Sequence, residues 1–404
     1  MKNFFYKYKE WWKNNVDFYV IFAFIISMYG FIFLKPYVIW NNQTIFLAPA
    51  FLLYVAVIAI YVYREKNLLA VHRPLLIGVA LLLLLYTITL GFKAFFITNV
   101  FTLSLLLMVF IKKEDWVKIF SFFSSIIAIS YIPGLIVFIL ILLNIDIKPE
   151  SIINSFGNKY NHYIGSVIRL APYGILQRFH GMFYEPGVVG TCSAFLLIAD
   201  NFKLKKHRNK IHLLAGILSF STAFFIIVIL YLLVVNTKKF LIVILLLAFS
   251  VMLIPENTDL GHQIRYNFTQ KLPFTKNDNR TTDEFDVKYQ EYLNDLTTSK
   301  FLFGIGAENY YEEFKNTKSY SWKQEFIIHG VIYLVFLIGF ILYVAYKFNK
   351  FTVFLFALLF IASIYQRPEV VNIYSVIMLF GGMYNILLSN PPIQFKFSFS
   401  NKAK

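Results

Sequence analysis

The sequence predicts an all-α polytopic membrane protein, and three observations predict it. Of 404 residues, 58% are hydrophobic and 15% charged, and mean hydropathy is +0.62. Soluble domains carry about 25% charged residues, so this chain lacks the polar surface to cover a water-facing globule. The apolar residues also fall in runs close to the ~20 needed to cross about 30 Å of hydrocarbon. Finally, aromatic residues (46 Phe, 27 Tyr) flank many of the runs, where amphipathic rings prefer the headgroup zone.

The elements follow in order. The basic, aromatic start leads into the apolar run Phe18–Leu34, which ends at Lys35-Pro36 without a small-residue cleavage pattern and reads as a retained signal-anchor. Further spans are expected at Ile45–Tyr63, Pro74–Leu90, Ala94–Ile111 and Val117–Leu143. A polar outer loop, 144–180, precedes the span Phe183–Ala199 and the basic stretch Lys203–Lys210. Ile211–Val235 is interrupted by Ser219-Phe-Ser-Thr222 and reads either as one span or as a re-entrant helical hairpin. The hairpin returns Lys238 and Lys239 to the inner side, which keeps basic residues inside throughout. Its arms, about 12 residues or roughly 18 Å each, are too short to cross alone.

After Phe240–Ile254 comes a second long polar loop, 255–321, expected to form a small helical cap. Spans at Glu325–Tyr346, Phe351–Tyr365 and Val370–Leu388 then lead to an inner tail, 389–404. The whole is a single integral membrane domain of about ten transmembrane helices plus the hairpin, with both termini on the inner side.

Composition excludes several functions. The net charge of +16 lies almost wholly in short segments assigned to the inner side, so it reads as topology and attraction to anionic lipid rather than a nucleic-acid face. One cysteine, Cys192, permits no intramolecular disulfide, and no residues have the ligand spacing of a zinc site. The spans hold almost no ionisable residues, unlike those of proton- or ion-coupled transporters.

Charge gathers instead at the outer ends of the spans, in three clusters. The first runs from Arg169 through Arg178, His180 and Gly181 to Glu185-Pro186. Pro186 suits the first position of a helix, with Glu185 at its cap. Glu185 then either caps the helix or accepts a proton; Arg178 and Arg169 either anchor at headgroups or bind a phosphate bidentately. The second cluster holds His262, Arg265 and Arg280 before a helical pattern over Thr281–Leu296, then Gly304-Ile-Gly306, which permits a tight loop. The third holds Ser319, Glu325 and His329-Gly330 at the start of a span, with His329 read as a helix-face histidine that finds a backbone partner.

These clusters, in this order, resemble the bacterial O-antigen and capsule polymerase family (Wzy-type), kin to the O-antigen ligases. The matching pieces are Arg178-x-x-Gly181-x-Phe183-x-Glu185-Pro186, the serine-containing turn Ser219–Thr222, and Arg280 followed by a helix into Phe303-Gly304-Ile-Gly306. Ser319-Tyr320 and Gly330-Val-Ile complete the set. Family members often carry Ser-Arg at the turn where this chain has Ser221-Thr222, and ligases carry a histidine where it has Ser319. The second departure favours polymerase over ligase.

The resemblance implies a GT-C-like arrangement, with both outer loops capping a cavity in the inner membrane. It implies a metal-independent, cofactor-free, inverting glycosyltransferase acting on glycans carried by undecaprenyl diphosphate as donor and acceptor, with a chain-length regulator as a further partner. Arg178 and Arg280, supported by Arg169 and Arg265, would stabilise the diphosphate; Glu185 would be the base; His180, Ser319, Glu325 and His329 would contact substrate. A ligase is the nearer alternative, and a flippase of lipid-linked sugars the alternative of another class.

Overall fold

A computed structural model describes residues 17–40, 43–65, 73–89, 110–143, 145, 147–153, 159–163, 165–169, 178–237, 241, 283–315, 317, 322–364 and 372–389. The expected spans Ala94–Ile111 and Phe240–Ile254 fall almost wholly outside the described residues, as do Gln366–Glu369 and the tail.

The chain is largely helical, as its apolar runs predict. Among the described residues three helices are long and apolar enough to cross a membrane: Ile45–Arg64, Lys113–Ile141 and Trp322–Lys347. Shorter apolar helices stand at most other expected spans. In chain order they are α1 (Phe18–Phe33), α2 (Gln43–Arg64), α3 (Arg73–Ile88), α4 (Lys113–Leu142), α5 (Pro186–Ala199), α6 (His207–Leu218) and α7 (Thr222–Val235). Three cap helices follow, α8 (Asp283–Asn294), α9 (Thr298–Phe303) and α10 (Gly306–Glu313), then α11 (Trp322–Lys347) and α12 (Phe351–Ile364). A π-helical stretch, Ile377–Gly381, joins α13 (Ile373–Val376) to α14 (Gly382–Ser389).

Helix α5 is the axis of the fold. Every one of its residues but Gly187 is buried. Its 14 residues span only about 21 Å. Its small residues (Gly190, Thr191, Cys192, Ser193, Ala194) let neighbours approach closely, which matters where lipid removes any hydrophobic drive between helices. A Cβ on Gly190 would stand 2.3 Å from that of Ser221, so this glycine seats the turn between α6 and α7. Helices α6 and α7 both pack on α5, and Tyr231 near the end of α7 stacks on Phe202 just beyond α5. The chain therefore reverses at Ser219–Ser221, and Ile211–Val235 is a helical hairpin rather than one span.

The polar loop at 144–180 departs from the all-α expectation. It carries an antiparallel sheet in the order β1 (Glu150–Ile153), β2 (Lys159–Tyr163), β3 (Ser166–Arg169). Glu150 pairs with His162, and Tyr160 with Arg169. Gly165, at φ +72°, makes the tight β2–β3 turn. The sheet docks where α4 carries Pro133-Gly134: an added Cβ on Gly165 would lie 2.5 Å from the Cβ of Pro133. Hydrophobic periodicity misses such strands because four or five residues hold too few repeats of the alternation.

Side-chain contacts sort the helix termini into two ends. At the basic end, Tyr19 and Lys112 meet Glu65, Arg208 reaches Ser121, Asn385 reaches Asp200, and Lys350 bonds the Ile386 carbonyl. At the cap end lie the sheet, the α5 N-terminus and the hairpin turn. The α11 N-terminus belongs there too. Phe195, in the last half of α5, packs on Phe356 and Phe360 of α12, and a Cβ on Gly382 would meet both Phe356 and Ala199. The start of α12 therefore lies at the basic end, and α11, its antiparallel neighbour, begins at the opposite one.

Candidate functional site: a strap on the hairpin turn

Residues 178–185 form a strap between the sheet and the hairpin turn. Helix termini leave carbonyls without partners and carry partial negative charge; here the strap satisfies them. Phe179 N donates to Leu218 O at 3.0 Å. Arg178 Nε donates to Ser219 O and its Nη2 to Phe220 O, each at 2.9 Å. The turn itself is strained, with Phe220 at φ +45°, and its serines are buried. Arg178 thus clamps the hairpin. The turn lacks an arginine of its own, and Arg178 brings a guanidinium to it.

The other edge of the strap binds the sheet. Gly181, at φ +58°, offers its carbonyl to Val167 N at 2.8 Å and to Ser166 Oγ at 3.3 Å. Met182 O accepts from Tyr37 N at 2.8 Å, and Tyr184 O from the Tyr160 hydroxyl at 2.9 Å. His180 is buried, its ring edge-on to Tyr160 at 6.1 Å. Glu185 occupies the N-cap position of α5 in an extended conformation, with Pro186 at N1 as the sequence predicts. Its side chain makes no capping hydrogen bond, so the half-buried carboxylate does not serve as an ordinary cap.

Glu325 and His329 form a second group at the same end. Helix α12 stands between them and α5, packing on both α5 and α11. His329 is buried between Tyr86 and Tyr333, with ring centroids at 4.7 and 4.6 Å. Its Nδ1 hydrogen-bonds the Thr89 hydroxyl, and its Nε2 lies 3.6 Å from Glu325 Oε2. The partner is a side chain, not the backbone group the sequence suggested. Glycines make this junction possible. Gly330 breaks α11 at φ +73° and Gly304 closes α9 at the same φ. A Cβ on Gly304 would stand 2.3 Å from Ile328 O, and one on Gly330 2.4 Å from Leu302 O. Ala307 N then donates to Thr89 O at 2.9 Å, tying the cap to α3.

Of the other predicted site residues, Arg169 closes β3, where its backbone pairs with Tyr160; Arg265, Arg280 and Ser319 fall outside the described residues. Sequence reasoning missed Thr89, Tyr86 and Tyr333, which look like ordinary span residues. It also read Lys206 and Arg208 only as topology signals. Both bind Asp200, at 2.7 and 2.9 Å, and Asn385 adds a bond at 3.1 Å. Burial alone would raise the Asp200 carboxyl, but Lys206 and Arg208 outweigh it and hold it below the usual carboxylate range. Among the described residues no group of His, Cys, Asp and Glu could hold a metal ion.

The fold defines the chain as a helical membrane protein. Comparison with protein-family models, curated proteins and solved structures finds no match.

Proposed function

We propose that the chain is a polymerase that joins oligosaccharide units carried on undecaprenyl diphosphate, at the outer face of a bacterial inner membrane. The observation that carries this reading is the strap, which holds Arg178 on the hairpin turn and Glu185 at the start of the buried α5, on the end opposite the basic one. Positive-inside bias assigns the basic end to the cytoplasm, so the strap and cap face outward, where lipid-linked sugars are polymerised.

In the reaction, a hydroxyl of the acceptor sugar attacks the anomeric carbon of the donor. The bond from that carbon to the phosphate oxygen breaks, and lipid diphosphate leaves with the electron pair. Glu185 takes the hydroxyl proton, a role worth roughly 10²–10⁴ in rate. Arg280, with Arg169 and Arg265, neutralises the leaving diphosphate. Arg178 holds the turn against which that group sits and adds positive charge there. His180, Ser319, Glu325 and His329 contact the sugars or position those that do.

Purified protein in vesicles, given lipid-diphosphate repeat units and no energy source, is expected to lengthen them. Glu185→Gln and Arg280→Ala should insert normally and yield no lengthened product. Full activity in both variants would remove these residues from the mechanism. Transfer of finished glycan to a different acceptor would mean a ligase, and translocation without new bonds a flippase. Orientation is checked separately. In a Cys192→Ser background, an impermeant thiol reagent should reach a cysteine replacing Asp295 and not one replacing Lys210; the reverse pattern would invert the topology.

A further inference from the structure

The cap leaves four large apolar side chains exposed, Val287, Phe301, Phe303 and Tyr311, and two of them stand on the one short helix α9. Helix α9 packs on α11, yet Phe301 is 42% and Phe303 50% exposed. The cap core is built from other residues, Phe285, Tyr292, Tyr310, Phe314, Phe326 and Ile327. In a water-facing cap, leaving two neighbouring phenylalanines so exposed forgoes burial worth about 25 cal/mol per Å².

Their height in the bundle explains them. Backbone contact of Leu302 and Gly304 with Gly330 fixes α9 at the level of that glycine. From Gly330 to Lys347, at the basic end, α11 rises about 26 Å. A second helix gives the same level: Arg73 to Thr89 rises about 24 Å, and Thr89 is bonded to Ala307 beside α9. Both distances fall just short of the roughly 30 Å hydrocarbon thickness. Phe301 and Phe303 therefore sit at the boundary between acyl chains and headgroups, the depth that aromatic side chains prefer. The lipid-facing side of α3 continues to this level, with Leu84 55% and Ile88 66% exposed. The next cap helix turns mostly charge outward, through the exposed residues Glu308, Glu312 and Glu313, beside the exposed Tyr311.

We propose that α9 is an interfacial foot: Phe301 and Phe303 insert into the outer rim of the bilayer and seat the cap on the membrane. The cap is then held at two points, the glycine junction with α11 and the lipid itself. This reading does not depend on the proposed reaction.

Spin labels on single cysteines in the Cys192→Ser chain, reconstituted in phosphatidylglycerol–phosphatidylethanolamine vesicles, test it. Labels replacing Phe301 and Phe303 are expected to favour collision with oxygen over a water-soluble nickel chelate, as a label at Ile88 does. A label at Glu312 should show the opposite preference. Equal or chelate-favoured collision at 301 and 303 overturns the proposal; so does shielding from both reagents, which would mean that protein covers the site. The unaltered chain gives a second measurement. A photoactivated acyl-chain reagent should modify the peptide holding Phe301 and Phe303 as well as that holding Ile88. Modification of the second peptide alone overturns the foot.

Discussion

The two ends of the bundle are stitched by different chemistry. The basic end is joined through charged and polar side chains, mostly to one another: Asp200 with Lys206, Arg208 and Asn385; Tyr61 with Asp115; Glu65 with Tyr19 and Lys112. The cap end is joined largely through backbone, with His329 to Thr89 as a side-chain contact beside it. Carbonyls of Thr89, Gly181, Met182, Tyr184, Ser219 and Phe220 accept bonds from distant segments, and glycines at positive φ let main chains touch. At the basic end ion pairs fix the helix ends, beside turns that hold Asn201, Phe202 and Asn349 at positive φ. Backbone stitching instead fixes loops and the strap that carries Glu185.

The sharpest way to break this contrast is at the basic end. Arg208→Ala leaves the Asp200 carboxylate buried with much of its compensation gone. Breaking one partner of a buried pair costs about 3–5 kcal/mol. A large fall in the midpoint of thermal unfolding in detergent is expected. Arg208→Ala with Asp200→Asn should cost less than the two single changes together, because the pair is coupled.

At the cap end, Gly304→Ala places a Cβ against the Ile328 carbonyl in a backbone region open almost only to glycine. That strain is worth about 1–3 kcal/mol. Because it falls on the junction, faster proteolysis within 283–315 should precede any loss of the bundle. A change that melted both together would mean the ends are not separately held.

Arg178 gives an effect of similar size. Arg178→Lys keeps the charge but not the planar fork that spans two carbonyls, and each hydrogen bond to a charged group is worth about 1.5–3 kcal/mol. Selective loss of hydrogen-exchange protection around Ser219–Ser221 is expected, with the Asp200 network unchanged.

The smallest effect is that of pH on the basic end. The Asp200 carboxyl lies below its ordinary value in the folded chain, so the unfolded chain binds the proton more readily. Its stabilising contribution is therefore complete above the unfolded value near 3.9 and is lost as pH falls through the folded one. Stability attributable to Asp200 should stay flat from about pH 5 to 8. Asp200→Asn should flatten the acid limb of a stability profile below about pH 4.

Much of this was legible in the sequence. Helices at Phe18–Phe33, Lys113–Leu142 and Phe351–Ile364 follow from apolar runs alone, and Pro186 at N1 marks the start of α5. The Ser219–Thr222 interruption signals the turn, and Gly304-x-Gly306 signals the tight loop. Thr89 and Tyr86 carried no signal, since nothing local separates them from lipid-facing neighbours. The β-sheet was hidden because its strands are four or five residues long.

The sequence by itself determined that the chain is a helical membrane protein, that its charge is segregated, and where most helices begin and end. Those properties depend on local composition, which the bilayer reads one run at a time. Only the tertiary structure decided that Arg178 binds the hairpin turn, that His329 meets Thr89, and that Lys206 and Arg208 are spent on Asp200. Each of those contacts depends on backbone from a distant segment arriving at one point, and no periodicity in a single segment encodes that.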